Sequence, residues 1–316
     1  MVELAFLFLA GAYVGWNIGA NDAANCIGTS VGSGLLSFRR AIIIVSIFAV
    51  IGGVTQGGNV MHTMGKGIVT SEIPHLGILV GMLSAGIFVT LASSLRLPVS
   101  TSEAIVGGIM GIGLAIGADI NLTTLAHIGE VWVICPILTG LIASLLYLGT
   151  RALLRRVGHE SFWQRVPKIL LLFSASYISF SLGANHVGTA MGPLSNIGIS
   201  SRFLSLLGGL SLAAGALTFG SRVTKAVGRE ITTLDHISAF SAQTAAALSV
   251  HFFSIVGIPV STTQSVVGAV AAVGFLNGLQ TVRKRKLIEI AVGWVATPTS
   301  AGIFSFLLYK LISLAL

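Results

Sequence analysis

Long apolar runs, broken only by short loops that hold nearly all the charge, leave this chain one medium to fold in: the lipid bilayer. Only 9% of its 316 residues are charged, 54% are hydrophobic, and the mean hydropathy is +0.93. An ordinary soluble domain carries about 25% charged residues, so a water-facing surface cannot be built from this chain. A membrane-spanning helix needs about 20 apolar residues, which leaves room for about ten segments that span or re-enter. The expected fold class is an all-α integral membrane protein, with the lipid bilayer as its first partner. The 39 glycines suit close helix packing in lipid, as where Gly11, Gly15 and Gly19 share one helix face.

Several classes of function drop out. The formal charge of +8 does not indicate nucleic acid, because the basic residues lie in loops between apolar runs. Cys26 and Cys135 fall within apolar segments and form no disulfide framework. There is no G-x-x-x-x-G-K-[ST] loop and no H-E-x-x-H spacing, and no nucleophile–base pair stands out. Neither an enzyme nor a cofactor is expected. The first segment lacks a basic start and a small-residue cleavage site, and is expected to be a retained span.

The chain repeats itself. Gly19-Ala20-Asn21-Asp22 returns as Gly183-Ala184-Asn185-His186, and Pro98-Val99-Ser100-Thr101-Ser102 returns as Pro259-Val260-Ser261-Thr262-Thr263. Trp132-Val133-Ile134-Cys135-Pro136 has its echo in Trp294-Val295-Ala296-Thr297-Pro298. The offsets are 164, 161 and 162 residues, in the same order along the chain. This is the mark of a duplicated unit. Residues 1–150 form the first membrane repeat, 151–168 a short linker and 169–316 the second membrane repeat.

The linker is the most basic stretch, with Arg151, Arg155, Arg156, Arg165 and Lys168 against Glu160. The positive-inside rule places it in the cytoplasm. Counting one span per apolar run, Arg39-Arg40, the Arg222–Arg229 stretch and Arg283–Lys286 fall on that same side. Fourteen of the 18 basic residues are then cytoplasmic, and both termini are outside. Lys66, Arg202 and Lys310, with Glu72 and Asp119, are left on the outer side, and Arg96 is assigned to neither. The basic Arg283–Lys286 loop corresponds to the neighbourhood of Asp119, which is not basic, as expected if matching loops lie on opposite sides. That is the signature of an inverted repeat, a plan of secondary transporters whose substrate sits at the repeat interface.

Polar residues crowd where lipid should be. Asn17, Gly19, Asn21, Asp22, Asn25, Gly28, Thr29, Ser30, Gly32, Ser33 and Gly34 follow one another closely. Such density predicts a broken first helix facing a protein cavity, with Asp22 in a cation site. At an aqueous interface Asp22 would be ordinary. The two Pro-Val-Ser-Thr segments follow a different logic: proline ends one helix, and Ser and Thr cap the next. Two helix N-termini, one per half, then present hydroxyls and free N–H groups, which suit a phosphate-like anion. Plain capping is the alternative for either segment alone. Glu103 and Gln264 follow the two clusters, Gln56 and Gln243 either line a cavity or tie helices together, and Trp132 and Trp294 read as interfacial anchors.

Gly19-Ala20-Asn21-Asp22-Ala23-Ala24-Asn25 resembles the signature of the inorganic phosphate transporter (PiT) family. The paired Pro-Val-Ser-Thr segments are similar to that family's two re-entrant hairpins. The Val223–Ile231 stretch, Phe240–Gln243 and Trp294–Pro298 resemble its second half. The resemblance runs nearly end to end. It implies an inverted-repeat transporter fold with two hairpins, a homodimer in the cell (plasma) membrane, and secondary active symport of inorganic phosphate with a cation. Sodium stands ahead of the proton as that cation. Carried over by position, Asn21, Ser100, Thr101, Ser102, Asn185, Ser261, Thr262 and Thr263 would hold phosphate. Asp22 and Asn25 would hold sodium, with Glu103, His186 and Gln243 joining in cation coupling. The sequence departs from the family where His186 replaces the second acid, Thr189 stands in the place of Asn25, and Glu103 and Gln264 stand where histidine is frequent. A sulfate or other oxyanion permease of the same fold, or an ion channel, are the alternative functions.

Overall fold

Helix follows helix along the chain, and their lengths sort them into two kinds. The computed structural model describes residues 2–32, 34, 36–94, 99–154, 160–227, 235–278 and 284–315. The long helices are α1 (Val2–Gly32), α2 (Phe38–Gln56), α4 (His75–Ser94), α6 (Leu122–Leu154), α7 (Glu160–Met191), α8 (Ser201–Val227), α9 (His236–Val256) and α11 (Lys284–Ala315). Between α2 and α4 lie a short α3 (Gly58–His62) and a π-helical turn, Thr63–Gly67. Two apolar helices are shorter: α5 (Thr101–Ile116) and α10 (Thr262–Leu276). At about 1.5 Å per residue these two measure about 22–24 Å, less than the roughly 30 Å of a hydrocarbon core. Among the described residues, eight helices are long and apolar enough to cross a membrane.

The expected break in the first helix is not there. Residues Val2–Gly32 form one continuous helix of 31 residues. The reason lies in what its polar residues touch. Asn17, Asp22, Asn25 and Ser30 are all buried against other helices, where side-chain partners satisfy them. Its glycines serve contact rather than a kink. A Cβ on Gly19 would strike the carbonyl of Leu212 on α8, and one on Gly215 of α8 would strike the carbonyl of Trp16. The same mutual pair joins α2 and α7, where Gly52 meets the Phe180 carbonyl and Gly183 meets that of Ala49. Backbones that approach this closely are how membrane helices gain packing without a hydrophobic driving force.

The short helices are seated in a parallel fashion. Gly107 of α5 rests on the Pro298 carbonyl of α11, and Gly268 of α10 rests on the Pro136 carbonyl of α6. Each long helix carries its proline inside without ending there. Among the helix pairings, α1–α8 and α2–α7 correspond, as do α5–α11 and α10–α6, and α1–α4 and α7–α9. The loops at 68–70 and 119–121 are joined by an antiparallel bridge between Val69 and Ile120, so Lys66, Glu72 and Asp119 share one side of the molecule.

Of the basic 151–168 segment, Arg151–Leu154 ends α6 and Glu160–Lys168 begins α7. Arg155 and Arg156 lie outside the described residues, as do Ser33, Arg96, Pro98, Arg229 and Arg283.

Candidate functional site

The first turns of α5 and α10 begin alike. Ser100 and Ser261 are extended, at φ −91° and −90°, and each hydroxyl accepts from the backbone N–H three residues on, Glu103 and Gln264. These are N-caps, and they leave other first-turn N–H groups without intrahelical partners. Gly257, in the left-handed region at φ +84°, closes α9 and turns the chain towards α10. The two helix starts converge on α1 and α7.

Asp22 is where they meet. Its Oδ2 accepts from Thr101 Oγ1 at 2.6 Å and lies 3.5 Å from His186 Nε2. Its Oδ1 accepts from the amides of Asn21 and Asn25, both at 3.3 Å. Asn25 also donates to Thr263 Oγ1 at 2.8 Å, which ties the α1 acid cluster to the start of α10. Ser102 Oγ donates to the Val260 carbonyl at 3.0 Å and lies 3.3 Å from His186 Nε2. Asp22, Thr101, Ser102, His186, Ser261 and Thr262 are buried, while Asn21 and Thr263 are partly open. Asp22 stands ten residues, about 15 Å along the helix, from the end of α1.

The lysines and arginines whose side chains are described (Arg39, Arg40, Lys66, Arg151, Lys168, Arg202 and Lys310) are exposed. An anion here would therefore be held by neutral hydroxyls and backbone N–H groups, beside one carboxylate. Thr262 Oγ1 is the hydroxyl best placed to serve, since it is buried and has no hydrogen-bond partner among the described residues. Its repeat mate Thr101 is already committed to Asp22.

Other expected residues sit apart from this cluster. Asn185 is fully engaged: its Oδ1 accepts from Val260 N–H at 3.1 Å, and its Nδ2 donates to Ser254 Oγ and the Ile258 carbonyl. It holds the α9–α10 connection in place. Thr189 donates to the Asn185 carbonyl within α7. Gln243 belongs to a separate polar knot, accepting from Ser30 at 2.9 Å and Ser174 at 2.6 Å while donating to the Cys26 carbonyl. Gln56 meets His251 instead of a cavity.

Two contributions were missed in the sequence. Trp132, expected as an interfacial anchor, donates from its indole to the Pro259 carbonyl at 3.0 Å and so braces the start of α10. Gln264 donates to Glu103 Oε1 and joins the two short helices directly. The equal offset of the two hydroxyl clusters was the one signal that could have paired them.

Comparison with known proteins places the chain in a family. The model of the phosphate transporter family matches residues 18–305. A candidate phosphate permease of Pyrococcus furiosus is 28% identical, over 97% of this chain and 95% of its own length. The inorganic phosphate transporter 2-1 of Arabidopsis thaliana, a chloroplastic protein, is 29% identical over 98% of this chain and 72% of its own length. A solved structure of a sodium-dependent phosphate transporter superposes with a TM-score of 0.85 at 28% identity, and each chain covers all of the other. With the family model matching nearly the whole chain, this protein belongs to the phosphate transporter family.

Proposed function

We propose that this transporter moves inorganic phosphate together with sodium, holding the anion between the first turns of α5 and α10 and the sodium at Asp22 and Asn25. The family is one of transporters and not of enzymes, and phosphate is its cargo. The observation that carries the finer reading is the convergence of two capped helix starts on one buried carboxylate. Two like unit charges about 4 Å apart repel by about 4 kcal/mol at an effective dielectric constant near 20. With the described basic side chains exposed, phosphate and Asp22 need a mobile cation between them. The sodium dependence of the structural relative supports sodium in that role.

In this reading Ser100, Thr101, Ser102, Ser261, Thr262 and Thr263 surround the phosphate, with Asn21 beside it. Asn185 and Gln243 act from behind, one fixing the α10 start and the other the α1–α7–α9 junction. Residues 1–150 and 169–316 are the two inverted repeats, joined by the 151–168 linker, and α4–α5 and α9–α10 are the hairpins. The corresponding helix pairings support the duplication. The distribution of basic residues supports a cytoplasmic linker and outer termini in the plasma membrane. The family resemblance extends the reading to a homodimer within the bilayer.

Binding of labelled phosphate to the purified protein tests the site. Binding that rises with sodium and resists competing sulfate is expected. Equal competition by sulfate would move the reading to a general oxyanion permease.

Thr262→Val separates a ligand role from a capping role. The Thr262 hydroxyl has no partner among the described residues, so its removal is expected to leave thermal stability unchanged or slightly raised. Phosphate affinity is expected to fall by about 1–3 kcal/mol, the cost of a lost or unsatisfied polar partner. Unchanged phosphate affinity in a folded variant would remove Thr262 from the site.

Orientation is tested by labelling. In a background without Cys26 and Cys135, Arg39→Cys is expected to react only from the cytoplasm and Asp119→Cys only from outside. Reaction of both from one side would contradict the proposed topology.

A further inference from the structure

Glu103 and Gln264 are the third residues of α5 and α10 and meet across the gap between them. The Gln264 amide donates to Glu103 Oε1. The other oxygen on each head, Glu103 Oε2 and Gln264 Oε1, is buried and has no hydrogen-bond partner among the described residues. Both residues are buried, at 0% and 1% exposure. Two unsatisfied acceptors on the two heads of one bonded pair are a costly arrangement. None of the lysines and arginines whose side chains are described is buried with Glu103, since those are exposed.

One proton removes both deficits. Carried on Glu103 Oε2 and donated to Gln264 Oε1, it closes a ring of two hydrogen bonds between a carboxylic acid and an amide. Turning the amide over would set its carbonyl oxygen against Glu103 Oε1, and that contact needs a proton as well. We propose that Glu103 and Gln264 form a proton-binding site, separate from the Asp22 cation site, in which a neutral Glu103 clasps α5 to α10. Loss of the proton sets acceptor against acceptor and opens the clasp. Separation of the two hairpins is thereby tied to a proton as well as to sodium. The proposal rests on the reading of α5 and α10 as the walls of the phosphate site.

The groups around the clasp leave the proton to this pair. Asp22 on α1 and His186 on α7 face the start of α5, but they bond to Thr101, to Ser102 and to each other. On α6, Cys135 is bonded to Ser265 of α10 at 3.2 Å. On α9, His251 is bonded to Tyr177 and Gln56. On α4, His75 pairs with Glu3, and on α11 Tyr309 lies beside Gly77, both towards the start of α4 and away from Glu103. Lys310, the next residue, is exposed.

Infrared spectroscopy of the reconstituted protein at neutral pH tests the proposal. The wild type is expected to show the carbonyl band of a protonated carboxylic acid. The band should shift when glutamate is isotope-labelled in its side-chain carboxyl, vanish in Glu103→Gln and remain in Asp22→Asn. The labelled wild type carries the test if Glu103→Gln fails to fold. A wild-type spectrum without a label-sensitive acid band, or a band lost in Asp22→Asn instead, overturns the proposal. Sodium-driven phosphate uptake is measured on the same preparation. Its absence in the wild type would overturn the transport reading, whereas an absent acid band with intact uptake would overturn the clasp alone.

Discussion

Asp22→Asn is expected to raise the sodium concentration for half-maximal phosphate uptake by about a hundredfold. Removing one member of a buried, hydrogen-bonded charge pair costs roughly 2–5 kcal/mol, and about 2.8 kcal/mol is a hundredfold in affinity. Asparagine keeps the shape of the residue and an oxygen that can accept from Thr101, which now donates at 2.6 Å. The fold should therefore persist while the charge is gone. Phosphate affinity should fall along with sodium affinity, because coupling between two ligands is reciprocal. Sodium titration of uptake at fixed pH and fixed phosphate checks both. An unchanged sodium requirement in folded Asp22→Asn protein would place the cation elsewhere.

Gly19→Val and Gly183→Val are expected to remove folded protein altogether. In each case the new Cβ would overlap a backbone carbonyl, of Leu212 or of Ala49, and a carbonyl in the middle of a helix cannot rotate away. The helices must separate along their contact, and the overpacking of one such site costs about 1–3 kcal/mol even where neighbours adjust. Here the loss spreads, since α1–α8 and α2–α7 each depend on a reciprocal glycine pair. Gly129→Ala is the control. It sits in α6 with nothing within 4 Å of the new Cβ. Size-exclusion chromatography in detergent should show an intact peak for Gly129→Ala and none for the other two. A normal peak for Gly19→Val would mean that α1 and α8 are not held by this contact.

The sequence carried the membrane class and the family because both rest on pattern. Apolar runs separated by basic loops announce spans, and Asn21-Asp22 with its echo Asn185-His186 announces a duplicated site. The convergence of Thr101 and Thr263 on the Asp22 cluster was foreshadowed by the like Pro-Val-Ser-Thr runs that place caps at Ser100 and Ser261. The continuity of α1 was not legible. Whether a polar run breaks a helix depends on what its side chains meet, and the partners of Asn17 and Ser30 lie on other helices, at Thr90 and Gln243. The same limit hid the ties made by Asn185 and Trp132. Apart from the Ser254 hydroxyl, their partners are the Ile258 and Pro259 carbonyls and the Val260 N–H, backbone atoms that no side-chain motif advertises. The Glu103–Gln264 bond joins residues 161 positions apart, and neither residue type alone indicates a partner.

In the proposed mechanism the sodium gradient drives phosphate across the membrane. The measurement is uptake of labelled phosphate into proteoliposomes that contain the purified protein, with a sodium gradient imposed at equal pH on both sides. Saturable accumulation above the outside concentration, abolished when the sodium gradient is collapsed, is the predicted result. Phosphate that merely equilibrates, at a rate indifferent to sodium, would contradict it.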